Sequence, residues 1–120
     1  MFRRIVFNVV VRNQDDHTKN ISFLMDSSGQ WSLSPAYDMG FAYNPLGAWT
    51  GTHQMSINGK FDNITRADLL SLANANNIKN ASEIIDQVCE TTAGWPELAK
   101  NCGVPQKMID SIVPHMLLSI

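Results

Sequence analysis

Eight consecutive residues, Asn13-Gln14-Asp15-Asp16-His17-Thr18-Lys19-Asn20, carry no apolar side chain. A helix or strand that faces a core needs an apolar residue about every two to four positions, so the chain must leave regular structure here. The block is expected to form a loop and to contribute nothing to the core. Before it, Phe2, Ile5, Val6, Val9 and Val10 are apolar at helical spacing. This predicts a helix over 2–12, although the Val and Ile content also suits a strand. After it, Ile21-Ser22-Phe23-Leu24-Met25 and Gln30-Trp31-Ser32-Leu33-Ser34 flank Asp26-Ser27-Ser28-Gly29. Two short apolar-rich runs around a Gly-ending turn predict a β-hairpin. Pro35 stops the second strand because it has no N–H to give to a ladder.

Residues 39–63 hold Gly40, Pro45, Gly47, Gly51 and Gly59 with little periodicity and read as a long irregular loop. Within it, Tyr43 to Thr52 with Trp49 could face a substrate or simply solvent. From Thr65 onward the pattern is helical. Asp68 stands three residues after Thr65, a variant of the capping box, and Leu69, Leu70 and Leu72 supply an apolar face that ends at Asn76-Asn77. Ser82 and Glu83 start a second helix with Ile84, Ile85, Val88 and Cys89 inward. Gly94 and Pro96 predict a break near residue 95, with Trp95 and Leu98 continuing the apolar side. Gly103 ends that stretch, and Pro105 suits the first position of a last helix through Met108, Ile109, Ile112 and Leu117. The expected fold class is mainly α with one β-hairpin. The expected organisation is a single domain over 1–120: helix, loop and hairpin over 1–38, an irregular loop over 39–63, and a helical bundle over 64–120.

A chain of 120 residues buries about two-thirds of its unfolded surface and can hold one modest core. With 44% hydrophobic and 17% charged residues it does not have the signature of disorder. The net charge of −2 is spread without a basic block, which argues against direct nucleic-acid binding. No apolar run reaches the length of a membrane span. The start, Met1-Phe2-Arg3-Arg4-Ile5-Val6-Phe7, is charged and then apolar. Arg12 interrupts it and Asp15-Asp16 follow with no small-residue cleavage pattern, so a signal peptide is not expected. Cys89 and Cys102 have no CxxC spacing and no nearby His. They read as buried or half-buried free thiols in a reducing cytoplasm.

The polar block is also where chemistry is expected. Asp15 and Asn20 are five apart after a helix. In protein kinases the catalytic loop has an Asp that orients the substrate hydroxyl and, five residues on, an Asn that holds a metal; a second metal-binding Asp follows. Here the hairpin supplies the return. Its two strands, each advancing about 3.3 Å per residue in opposite directions, nearly cancel, which brings Asp38 back beside Asn20. An Asn and an Asp together offer the hard oxygen donors that Mg²⁺ prefers. Taken singly, Asp15, Asp16, His17 and Lys19 would be no more than a solvated turn. Asp16 in particular reads as a solvated or capping carboxylate. A metal hydrolase using Asp15, Asp16 and His17 ranks low, because adjacent carboxylates rarely point at one ion. Tyr37 and Trp95 are expected in the core, and His53 and His115 have no partner visible in sequence.

Asn13-x-Asp15-x-His17-x-Lys19-Asn20, the hairpin, and Leu33-Ser34-Pro35-Ala36-Tyr37-Asp38 resemble the catalytic loop and metal motif of HipA-family kinases. His53-Gln54-Met55-Ser56-Ile57-Asn58-Gly59-Lys60 and Ile64-Thr65-Arg66-Ala67-Asp68-Leu69-Leu70 are similar to the segment that follows the metal motif in that family. The stretch from Trp95 through Gly103-Val104-Pro105 also fits. The likeness covers most of this chain but only the C-terminal part of a family member.

The resemblance implies a helical kinase C-lobe portion that acts as a serine/threonine kinase, with Mg²⁺ and ATP as cofactors. Asp15 would be the catalytic base or hydroxyl-orienting carboxylate. His17 would support the loop or the transferred phosphate, and Lys19 would pair with phosphate or with solvent. Asn20 and Asp38 would hold the metal and, through it, the nucleotide. It further implies the toxin of a toxin–antitoxin pair, a DNA-binding antitoxin as partner, and a protein substrate, aminoacyl-tRNA synthetases being targets in the family. The seven glycines form no GxGxxG. The phosphate loop and small-lobe Lys are therefore expected from an N-terminal kinase lobe, and this chain alone is expected to be a piece with weak nucleotide affinity. The alternative is a non-catalytic helical protein-interaction module that retains a remnant kinase loop.

Overall fold

A computed structural model describes residues 1–120. Helix α1 (Phe2–Val10) is followed by the polar loop, which contains one 3-10 turn at Thr18–Asn20. Strands β1 (Phe23–Met25) and β2 (Trp31–Leu33) form an antiparallel hairpin in which Phe23 faces Leu33 and Met25 faces Trp31. Helices α2 (Arg66–Ala75), α3 (Ala81–Ala93), α4 (Trp95–Asn101) and α5 (Gln106–Ile112) complete the fold, with a 3-10 turn at Val113–His115. The chain is mainly helical with a single two-stranded sheet, as its fold class was read.

The core is the inner stripe of α1 laid against α2 and α3. Phe2, Val6, Val9 and Val10 pack with Leu69 and Ala73 of α2, with Ala81, Ile85 and Val88 of α3, and with Ile57 and Ile64 of the irregular segment. Helical spacing on α1 therefore outweighs its β-branched composition. Burial of each large side chain contributes about 1.5–3 kcal/mol, which exceeds the small propensity cost of valine in a helix. The end of the chain straps this core: the Leu117 N–H donates to the Val10 carbonyl at 2.8 Å, and Leu117, Leu118 and Ile120 pack alongside.

The N-terminus of α2 uses its Asp fully. The Asp68 carboxylate accepts the Thr65 N–H at 2.8 Å and the Thr65 hydroxyl at 2.7 Å. It also takes Lys60 Nζ at 2.8 Å and Asn58 Nδ2 at 2.9 Å. The Lys60 contact first, then Asn58 and Thr65, hold its pKa well below the usual carboxylate range. Gly94 both closes α3 and opens α4, which gives the break near residue 95.

Several expectations fail in detail. The last helix stops at Ile112 because Pro114 lacks an N–H and cannot continue it; Pro105 is the N-cap and not the first helical residue. Leu70 and Leu98 are exposed, and Trp95 is only half-buried. Cys89 is half-buried, and burial pushes its thiol pKa up, but Cys102 is exposed. Cys89 packs at the margin of the core on α3, whereas Cys102 caps the C-terminal end of α4 in solvent. No helix is long and apolar enough to cross a membrane.

Candidate functional site

The polar loop is not excluded from the interior. Asn13, Gln14 and Asp16 are buried, while Asp15 and His17 are partly exposed and Lys19 is exposed. The irregular segment 39–63 makes this burial tolerable by pairing with the loop backbone and answering the Gln14 and Asp16 side chains, as burial without partners would be costly. Asn13 pairs with Ala42 in a parallel bridge. The Gln14 N–H donates to the Ala42 carbonyl at 3.0 Å, and the Ala42 N–H donates to the Arg12 carbonyl at 3.1 Å. With its amide oriented by these neighbours, the Gln14 side chain donates to the carbonyls of Thr50 and Gly51 at 2.8 and 3.1 Å. A side chain on Gly51 would put a Cβ 2.8 Å from the Gly47 carbonyl oxygen, so this turn requires glycine.

Asp16 is the most heavily tied. Its Oδ2 lies 2.8 Å from His53 Nδ1, and both side chains are shielded from solvent. Its Oδ1 accepts the Gln54 N–H at 2.7 Å and the Met55 N–H at 3.3 Å. The expectation of a solvated Asp16 is thus overturned, and His53 has the partner that no local spacing could reveal: they stand 37 positions apart. Only the likeness of the His53–Lys60 stretch to a family segment marked that region.

The hairpin does return the chain. Ser22 and Ser34 close its base through their hydroxyls at 2.9 Å, and Arg4 of α1 donates to the Ser34 carbonyl. At the tip, Asp26 Oδ1 accepts the Ser28 hydroxyl at 2.6 Å and the N–H groups of Ser28 and Gln30 at 2.8 and 3.0 Å; the Ser28 hydroxyl foremost lowers its pKa. Tyr37 is not in the core: its ring is exposed because its hydroxyl donates to the Lys19 carbonyl at 2.8 Å, a polar tether across the two loop ends. Asn13 Nδ2 donates to the Asp38 carbonyl at 3.1 Å and to Asn8 Oδ1 at 3.0 Å. Asp38 itself has φ of 54°, the left-handed region, which costs a non-glycine residue about 1–3 kcal/mol unless its surroundings impose it.

Asn20, Asp38 and His17 line one cavity of about 140 Å³, with Arg4, Asn13 and Asp16. Asn20 Nδ2 donates to the Asp15 carbonyl at 3.0 Å, which directs its Oδ1 away from that bond. Asp15 Oδ1 stands 3.8 Å from His17 Nε2, an exposed and weak pair. His17 Nδ1 and Arg4 Nη1 are buried and have no protein partner. No group of three or more His, Cys, Asp or Glu could hold a metal ion alone. Two oxygen donors, Asn20 Oδ1 and the Asp38 carboxylate, fit Mg²⁺, which binds through one or two protein ligands and keeps waters and phosphates for the rest. The cavity is smaller than the roughly 300 Å³ at which ligand pockets begin, so it has room for a hydrated ion or phosphate oxygens and not for a whole nucleotide.

No curated protein matches the chain, and no solved structure does. A family model does: that of the HipA-like C-terminal domain matches residues 1–115, nearly the whole chain, and includes every residue of the loop, hairpin and cavity. The chain therefore belongs to the HipA-like C-terminal domain family.

Proposed function

We propose that this chain supplies the catalytic-loop and metal half of a serine/threonine protein kinase site. The observation that carries the reading is the Asn20 amide, which bonds the Asp15 carbonyl on one side and reaches the cavity lined by Asp38 on the other. In the proposed reaction the substrate serine Oγ attacks the γ-phosphorus of ATP and the bond to the ADP oxygen breaks. Asp15 orients the hydroxyl and takes its proton, which passes on to solvent. Mg²⁺, held by Asn20 and Asp38, would neutralise charge on the phosphate oxygens. His17 would meet the transferred phosphate, which its unpartnered Nδ1 on the cavity supports, and Lys19, exposed and outside the cavity lining, would pair with phosphate or with solvent. The rest of the ATP site comes from an N-terminal kinase lobe, consistent with a cavity too small for a nucleotide. A toxin role in the cytoplasm, a DNA-binding antitoxin partner and an aminoacyl-tRNA synthetase substrate extend the same proposal.

A second reading has one observation in its favour. Both faces of the hairpin are exposed and carry Phe23, Leu24, Met25 and Trp31. Such a surface suits a protein-interaction module with a remnant kinase loop. Phosphoryl transfer decides between them. In the chain joined to its N-terminal lobe, Asp15→Asn should lower transfer from ATP to protein by about 10²–10⁴-fold while the fold is kept. Transfer near the wild-type rate would remove Asp15 from the mechanism, and no transfer by the wild type itself would favour the interaction module.

A further inference from the structure

We propose that the buried Asp16–His53 pair is a positioning device for phosphoryl transfer, fixing the backbone on which Asp15 and His17 stand. This deepens the kinase reading and rests on it. The Asp16 carboxylate makes its contacts to three successive residues, at 2.8 Å to His53 Nδ1, 2.7 Å to the Gln54 N–H and 3.3 Å to the Met55 N–H. None of these groups belongs to the loop that Asp16 sits in.

The anchoring segment is itself held. The His53 N–H donates to the Phe61 carbonyl at 2.9 Å, and Ile57 bridges to Lys60 while its side chain lies in the core. A continuous chain of contacts thus runs from the hydrophobic core to Asp16. Asp16 is the inward anchor between Asp15 and His17, so its fixed position limits where the backbone can set its two neighbours. Their partial exposure fits this arrangement.

Stability alone is a poor reason for such a pair. A buried polar pair can often be replaced by apolar residues at no loss, whereas its directional bonds define one geometry. Phosphoryl transfer depends on such geometry, since small misplacements of an orienting carboxylate are costly. Asp16 and His53 touch no reacting atom in this account and act only through Asp15 and His17.

The test is steady-state phosphoryl transfer by the chain joined to its N-terminal lobe, with Asp15→Asn as control. Asp16→Ala should lower kcat about 10²-fold with KM for ATP within about twofold. Asp16→Asn keeps an oxygen for the Gln54 and Met55 N–H groups and should recover kcat to within about fivefold of wild type. If Asp16→Ala does not fold, His53→Gln, whose amide still donates to Asp16, is compared with His53→Ala; the glutamine variant should retain the higher kcat at equal KM. Activity lost in Asp15→Asn but kept in Asp16→Ala, or no advantage of Asn and Gln over Ala, overturns this proposal alone. Transfer that is absent from the wild type, or unaffected by Asp15→Asn, overturns the kinase reading and this proposal with it.

Discussion

Asp38 occupies a backbone conformation that glycine takes freely and aspartate does not, with φ of 54°. Asn13 holds its carbonyl, and the residue, exposed to solvent, lines the cavity. If the strain serves metal binding, function and stability separate at this position. Asp38→Gly should change unfolding free energy by no more than about 1 kcal/mol, while Asp38→Val should destabilise by about 1–3 kcal/mol. Both should lose divalent-ion binding, and urea denaturation alongside an ion titration reads the two effects. Asp68 makes a different residue-scale prediction. Its folded pKa is depressed, so the stability it contributes is fully present above the unfolded carboxylate value and is lost as pH falls through it toward the folded value. Thermal melts should therefore show the wild type losing stability below about pH 4, with a flatter acid limb for Asp68→Asn. Placement was legible in sequence only where the link is local: Asn20 and Asp38 line one cavity across one hairpin, and the Asn20 amide bonds the Asp15 carbonyl. The partners of Asp16 and Gln14 lie in an aperiodic segment that gives no pattern from which pairing can be read.

At the scale of elements, α1 and α3 make the central contact, and α2 closes over it. Leu69 and Ile85 are fully buried. Leu69→Ala or Ile85→Ala should cost about 2–5 kcal/mol, measured by denaturant unfolding, the spread reflecting how far each site can collapse. Hairpin changes should behave otherwise. Leu24 and Trp31 are exposed, so serine at either should shift stability by only about 0.5 kcal/mol. A loss of several kcal/mol would mean that the hairpin packs on something. The helices were legible because apolar spacing and caps are local signals, as Thr65 with Asp68 illustrates. The early end of α5 was equally local, since Pro114 lies in the expected helix and forbids its continuation. Segment 39–63 was legible as irregular but not as structural. Part of its hydrogen bonding goes to the polar loop, through Ala42, Thr50, Gly51 and residues 53–55, and long-range pairing of this kind leaves no periodicity.

Across the whole molecule, a helical core carries a polar platform, on which Asn20 and Asp38 line one cavity and the Asp15 carbonyl bonds the Asn20 amide. The irregular segment joins the two, so core stability and loop geometry are coupled through Asp16, Asn13 and Gln14. The central claim is that the metal half of a phosphoryl-transfer site is already formed in these residues. The most direct measurement is an NMR titration of the chain with Mn²⁺, with and without ATP, following which amides broaden. The account predicts broadening centred on Asn20 and Asp38 that becomes more sharply localised when ATP is added. Broadening centred elsewhere, or none at all, would contradict it.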